Sequence, residues 1–150
     1  MYLVSSCLCG NHCRYNGSAG DLKRYHAIQR FLAQGLAVPV CPEVLGGLAV
    51  PRQPAEICGG TGAGVLQGKS RVVNATGDDV TANYVSGAWR SLLIGLETGC
   101  TKAVLKARSP ACGAGLIYDG KFQKNLILGD GVLAALLKAH GFIVFSDEDF

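Results

Sequence analysis

The apolar positions of the chain fall into short uninterrupted runs, separated by segments with helical spacing and by Gly-rich stretches. Tyr2–Ser6 is the first apolar run and predicts a buried strand ending near Cys7. A loop follows through Gly10, Asn11, Asn16, Gly17 and Gly20. Asp21 suits the N-cap of a helix to about Gln34, with Gly35 at its C-terminal end and Leu22, Tyr25, Ile28 and Leu32 along one side. Leu36–Cys41 predicts a second buried strand, stopped by Pro42, which has no N–H to give a ladder. Residues 44–68 hold many Gly and Pro and no helical period, so they read as a long loop, functional or mobile. That loop starts directly after Cys41-Pro42-Glu43 and is expected to cover whatever lies there, with residues 51–56 at the same edge of the sheet.

Arg71–Asn74 predicts a small strand, and Thr81 the cap of the clearest helix, to about Thr98. Val85, Ala88 with Trp89, Leu92 and Leu96 make its apolar face, and Tyr84 and Trp89 are expected in the core. Lys102–Lys106 is a third strand, followed by a loop over 107–115. Residues 129–140 form a last helix closed by Gly141, and Phe142–Phe145 a last strand. Strands alternating with helices predict a small α/β fold in layers around a mostly parallel sheet with right-handed crossovers. A length of 150 residues is the usual size of one domain, so residues 1–150 are expected to form a single one.

Composition narrows the class. Hydrophobic residues make up 49% and charged residues 17%, enough apolar material for a core without disulfide staples. The net charge of +3 comes from scattered residues with no basic run interleaved with aromatics, so no nucleic-acid partner is expected. No apolar run approaches the roughly 20 residues that span a bilayer. The N-terminus lacks the basic and apolar regions of a signal peptide, so a cytoplasmic protein with no membrane partner is expected. Seven cysteines, an odd number in a reducing compartment, point to metal binding, catalysis or burial rather than to disulfides.

Three of those cysteines share a topological position. Cys7 follows the first strand, Cys41 ends the second and Cys112 lies just past the third. Parallel strands place their carboxyl ends at one edge of the sheet, where open α/β folds bind ligands. Thiolates converging there suit zinc or an iron–sulfur cluster. No CxxC pair is present, and spacing alone favours inert buried cysteines over a metal site. Cys9, Cys58 and Cys100 read as small buried or half-exposed residues. His12, His26 and His140 are unclustered and not expected as ligands. Gly59–Gly64 lacks a following GK[ST] and reads as a flexible loop rather than a phosphate cradle.

The segments around the cysteines carry a more specific signal. Val4-Ser5-Ser6-Cys7-Leu8-Cys9-Gly10, Cys13-Arg14-Tyr15-Asn16-Gly17, Pro39-Val40-Cys41-Pro42-Glu43-Val44-Leu45-Gly46-Gly47-Leu48, Pro51-Arg52-Gln53-Pro54-Ala55-Glu56, Arg108-Ser109-Pro110-Ala111-Cys112-Gly113 and Gly115-Leu116-Ile117-Tyr118-Asp119-Gly120 occur in this order along nearly the whole chain. Together they resemble the DUF523 family, whose characterised members include a thiouracil desulfurase. The resemblance implies a Rossmann-like three-layer domain holding a [4Fe–4S] cluster through three cysteines, its fourth iron open to a substrate sulfur. Carried onto matching positions, the ligands are Cys7, Cys41 and Cys112, with Cys13 of the same motif as the alternative first ligand. Glu43 and Ser109 match residues implicated in desulfuration: Glu43 to activate water for attack on a thiocarbonyl carbon, Ser109 to hold the substrate or relay a proton. Arg52 and Arg14 either bind an anionic substrate or pair with Glu56 and Asp21, respectively. The implied activity is non-redox desulfuration of a small thiolated compound, a thiouracil-like base or another thioamide, with sulfur captured at the open iron. The non-enzymatic alternative is an accessory protein that uses the same cysteines for structural zinc or cluster storage. Asn16, Ala111 and Ala49-Val50 depart from the usual family residues and bear on substrate identity rather than on cluster binding.

Overall fold

A computed structural model describes residues 1–150. In chain order the strands are β1 (Tyr2–Ser5), β2 (Ala37–Val40), β3 (Ala55–Cys58), β4 (Arg71–Asn74), β5 (Lys102–Leu105), β6 (Leu116–Tyr118), β7 (Leu126–Leu128) and β8 (Ile143–Ser146). The α-helices are α1 (His26–Ala33), α2 (Pro42–Leu45), α3 (Gly62–Leu66), α4 (Thr81–Glu97) and α5 (Val132–Ala139). The central sheet has four strands in the order β2-β1-β5-β8. All its pairings are parallel, with Leu3 opposite Val38 and Ala103 and Val104 opposite Phe145.

Both faces of this sheet are covered, which is why its strands read as continuous apolar runs. Successive side chains on a strand point to opposite faces. Leu3, Ala103 and Leu105 accordingly enter the larger core with Leu92 of α4 and Leu133 and Leu137 of α5. Val4 and Val104 point the other way, into a smaller core with Leu8 and Ile28 of α1. The result is the three-layer α/β arrangement expected from the sequence. From β1 the chain proceeds outward to β2, and from β5 outward to β8. Strand order therefore reverses between β1 and β5, the point at which such sheets open a crevice beyond their carboxyl ends.

Several local expectations need correction. The helix read over 21–34 is broken: Asp21 accepts from Lys23 N and caps a 3-10 turn over Leu22–Arg24. Tyr25 then leaves helical geometry, its hydroxyl donating to Asp147 at 2.9 Å, before α1 begins at His26. Residues 44–68 are no structureless loop. β3 pairs antiparallel with β4 and brings the buried Ile57 opposite the buried Val72, while α2 and α3 bracket that strand. The β6–β7 hairpin lies in residues 116–128, for which the sequence predicted no element.

α4 buries a different stripe from the one expected. Tyr84, Gly87, Ala88, Ser91, Leu92 and Gly95 face inward, whereas Trp89 and Leu96 are about half-exposed. Small residues win the buried face because neighbouring backbones press against it. A Cβ at Gly87 would overlap the Pro42 carbonyl, and one at Gly46 the Asn83 carbonyl, so α2 rests directly on α4. Thr81 is the first residue of α4 rather than its cap. Its N–H donates to Asp79 Oδ1 and its hydroxyl accepts from Val72 N at 2.9 Å. No helix is long and apolar enough to cross a membrane.

Candidate metal centre and the cavity around it

Beyond the carboxyl ends of β2, β1 and β5 lies a cavity of about 570 Å³. Cys7, Cys13, Cys41, Cys112, Glu43, Ser109, Arg14 and Arg52 all line it. Each arrives there for a local reason. Ser6–Cys9 turns as a 3-10 helix directly after β1 and closes on Gly10, at φ 91°. This leaves Cys7 buried at the strand end, where the sheet's two halves are tied by Lys106 N donating to Ser5 Oγ at 2.9 Å. Cys41 occupies the N-cap position of α2, with Pro42 in the first turn, where its missing N–H costs nothing. Because α2 sits immovably on Gly87 of α4, Cys41 and Glu43 are fixed relative to the core.

Cys112 is held from two sides. Ser109 Oγ accepts from Ala111 N at 3.1 Å and from Cys112 N at 3.0 Å, winding the residues between them into a tight turn. The N-terminal amides of a helix have no intrahelical acceptor. Here those of α5 donate to the same turn, Val132 N to Pro110 O and Leu133 N to Ala111 O, both at 2.8 Å. The Ser109 hydroxyl is thus occupied as an acceptor, and its proton is the part left for a ligand.

The thiols influence one another. Hydrogen bonding from Cys13, helped by Arg14, lowers the Cys7 thiol to about 7 against the opposing effect of burial. Hydrogen bonding from Cys13 also lowers Cys41, against burial and the charge of Glu43. Cys13, donating to Cys41 and Cys7, is raised in turn. Burial, reinforced by Glu43, pushes Cys112 well up. Cys13 therefore lies between Cys7 and Cys41, and Cys7 and Cys13 are the two candidates for the first thiolate.

Glu43 is largely shielded from solvent, its side chain 14% exposed; desolvation raises its carboxyl pKa, and Arg52 opposes that rise. Arg52 Nη2 donates to Glu43 Oε2 at 2.6 Å and to Cys13 O at 2.9 Å. The expected pairing of Arg52 with Glu56 is absent. Glu56 Oε1 instead accepts from Gly120 N and Phe122 N and joins the β6–β7 hairpin to β3. The expected pairing of Arg14 with Asp21 is also absent: Arg14 lies beside Cys7, and its Nε is the one buried side-chain nitrogen or oxygen without a partner.

Lys106, Arg108, Lys124, Tyr118 and Phe122 also line the cavity and were not named as site residues from the sequence, and Tyr84, expected in the core, is buried and lines it too. Arg108 and Tyr118 sit inside quoted motifs. Lys106 directly follows β5, and Phe122 and Lys124 lie in the turn of the β6–β7 hairpin, whose position depends on long-range pairing. Cys9 and Cys58 are half-buried and Cys100 is buried, away from the cavity.

The donor set fits a cluster better than a single ion. No three Cys, His, Asp or Glu side chains are gathered tightly enough to ligate one ion. A cubane is a larger body and takes thiolates at separate corners. Soft thiolates are its ligands, and a bound cation removes the proton that burial keeps on a thiol such as Cys112. The orphaned Arg14 Nε is a donor without an acceptor, beside Cys7, where cluster sulfides would provide one.

Comparison with known proteins shows the family and the fold. Residues 2–149 match the sequence model of the family described as 2-thiouracil desulfurase. A Bacillus subtilis (strain 168) protein described as uncharacterized protein YbbK is 47% identical over 149 residues, covering 99% of this chain and 97% of that protein. Among solved structures, the [4Fe-4S]-dependent thiouracil desulfidase TudS superposes with a TM-score of 0.85 at 40% identity, covering 98% of this chain and 90% of that one. Matched over almost its entire length, the chain belongs to the 2-thiouracil desulfurase family.

Proposed function

We propose that the protein is an enzyme that desulfurates a small thiolated compound, a thiouracil-like base or another thioamide, at a [4Fe–4S] cluster held by Cys7, Cys41 and Cys112. The observation that carries this reading is that every thiol, acid and base it needs lines one cavity at the switch point of the sheet. The overall reaction consumes one water, replaces C=S by C=O and releases hydrogen sulfide, with no net oxidation or reduction. When bound, the cluster supplies a soft Lewis-acidic iron for the thiocarbonyl sulfur.

The remaining work falls to the chain's own groups. Glu43 is the general base. Arg52 occupies its Oε2, and its Oε1, which accepts from no protein group, takes the proton of the attacking water. Ser109 holds the Cys112 turn with its oxygen and offers its proton to the substrate. Arg14 donates into the site beside Cys7. Tyr84, 4% exposed, and the Pro54 and Tyr118 side chains wall the cavity, lowering the local dielectric around Glu43. The test is anaerobic reconstitution with iron and sulfide, followed by sulfide-release assays on a panel of thiolated bases. Turnover on at least one base, dependent on the reconstituted iron, supports the reading. Full iron loading with no release from any of them contradicts it.

A further inference from the structure

Arg52 was expected either to bind an anionic substrate or to pair with Glu56, yet its side-chain donors engage Glu43 and two backbone carbonyls. Nη1 donates to Ala49 O at 3.2 Å, Nη2 to Cys13 O at 2.9 Å and to Glu43 Oε2 at 2.6 Å, and the backbone N–H to Tyr15 O at 2.7 Å. Its side chain is 9% exposed, that of Glu43 14%. On Glu43 the contacts are one-sided: Oε2 takes Arg52 and lies 3.7 Å from Cys41 Sγ. Oε1 has no protein partner and is not among the buried orphaned atoms, so it stands open to the cavity. A planar guanidinium is suited to this task because its donors diverge in a rigid fork, so that one side chain fixes several acceptors in one plane.

We propose that Arg52 is a positioning residue: it clamps Glu43 by one oxygen, presents the other to the water that attacks the substrate, and locks this geometry to the loop carrying Cys13 and Tyr15. The inference rests on the reading of Glu43 as the proton acceptor, and it assigns Arg52 to Glu43 rather than to substrate.

A double-mutant cycle on the reconstituted enzyme tests it. Arg52→Met, Arg52→Lys, Glu43→Gln and Glu43→Gln/Arg52→Met are compared in steady-state sulfide release over a range of substrate concentrations, with iron per chain measured for each. At matched iron content Arg52→Met is expected to lower kcat roughly 10–10²-fold, the cost of a misplaced reacting group, with KM nearly unchanged. Arg52→Lys keeps the charge without the fork and is expected to restore only part of the loss. In the Glu43→Gln background Arg52→Met is expected to cost less than about twofold more, because the two residues act as a unit. Four results would each overturn the inference: a raised KM with kcat held, full rescue by lysine, equal losses in both backgrounds, or a loss explained by iron content alone. If Arg52→Met does not fold, Arg52→Gln and Arg52→Lys complete the cycle. An iron-loaded wild-type protein with no sulfide release brings down the functional reading as well, whereas an active wild type with additive variants brings down this inference alone.

Discussion

Replacing Glu43 by Gln separates its chemical role from its structural one. Gln keeps the shape of Glu and can still place an oxygen against Arg52 Nη2, which now donates at 2.6 Å to Oε2. The atom then facing the cavity is an amide nitrogen, which cannot take a proton at neutral pH. Loss of a positioned general base lowers the rate about 10²–10⁴-fold, or about 3–5 kcal/mol at about 1.4 kcal/mol per decade. The fold loses less. A hydrogen bond to a charged group contributes about 1.5–3 kcal/mol, and Gln retains a neutral version of it, so a cost of about 1–2 kcal/mol is expected. For a chain of this length that lowers Tm by about 2–8 °C. The assay is single-turnover sulfide release at matched iron content, with a thermal melt beside it. Turnover equal to wild type at equal iron would show that another group activates water.

Four further outcomes follow from the geometry. Cys41→Ser and Cys112→Ser are expected to lower bound iron after reconstitution several-fold, because a hydroxyl is a poor iron ligand beside thiolates; iron and labile-sulfide analysis reads this. Cys7→Ser is expected to lose iron likewise while Cys13→Ser retains it, and the reverse pattern would make Cys13 the first ligand. In the metal-free protein, thiolate absorbance is expected to show a group titrating near pH 7, moving up in Cys13→Ala, since Cys13 is the largest cause of the Cys7 shift. The sign follows from linkage: a thiol lowered on folding binds fewer protons folded than unfolded. Stability from Cys7 is therefore gained as pH rises from about 7 toward the unfolded value of about 8.5, and lost as pH falls through the folded one. Gly87→Ala places a methyl group on the Pro42 carbonyl, and is expected to cost about 1–3 kcal/mol and to displace Glu43; a lowered melting midpoint together with lost turnover checks it.

The parts of the fold legible in the sequence were those with local signatures. β1, β2 and β5 are short apolar runs buried on both faces, and the cysteines at or beyond their ends follow from parallel topology. The motifs around Cys7, Cys41 and Cys112 identified the family. What stayed hidden depended on distant partners. β3 has a single fully buried apolar residue, Ile57, and exists because β4 arrives to pair with it. Tyr25 is interrupted as a helical residue by Asp147, 122 positions away. The inward face of α4 was misjudged because Gly87 and Gly95 carry no apolar signal, although the α2 backbone packed on Gly87 and the Phe142 and Leu3 side chains packed on Gly95 select them over Trp89 and Leu96. Arg52 was visible as a motif residue, but its engagement with Glu43 required the approach of 51–56 to α2.

The most direct test of the central claim is the stoichiometry of one reaction: reconstituted protein, a thiolated uracil and isotopically labelled water, without added reductant. The account predicts one sulfide released per uracil formed and the new carbonyl oxygen drawn from water. No conversion is expected from the metal-free protein, and from Cys41→Ser none beyond the share of iron it retains. A requirement for reductant, a carbonyl oxygen from another source, or equal conversion by the metal-free protein would contradict it.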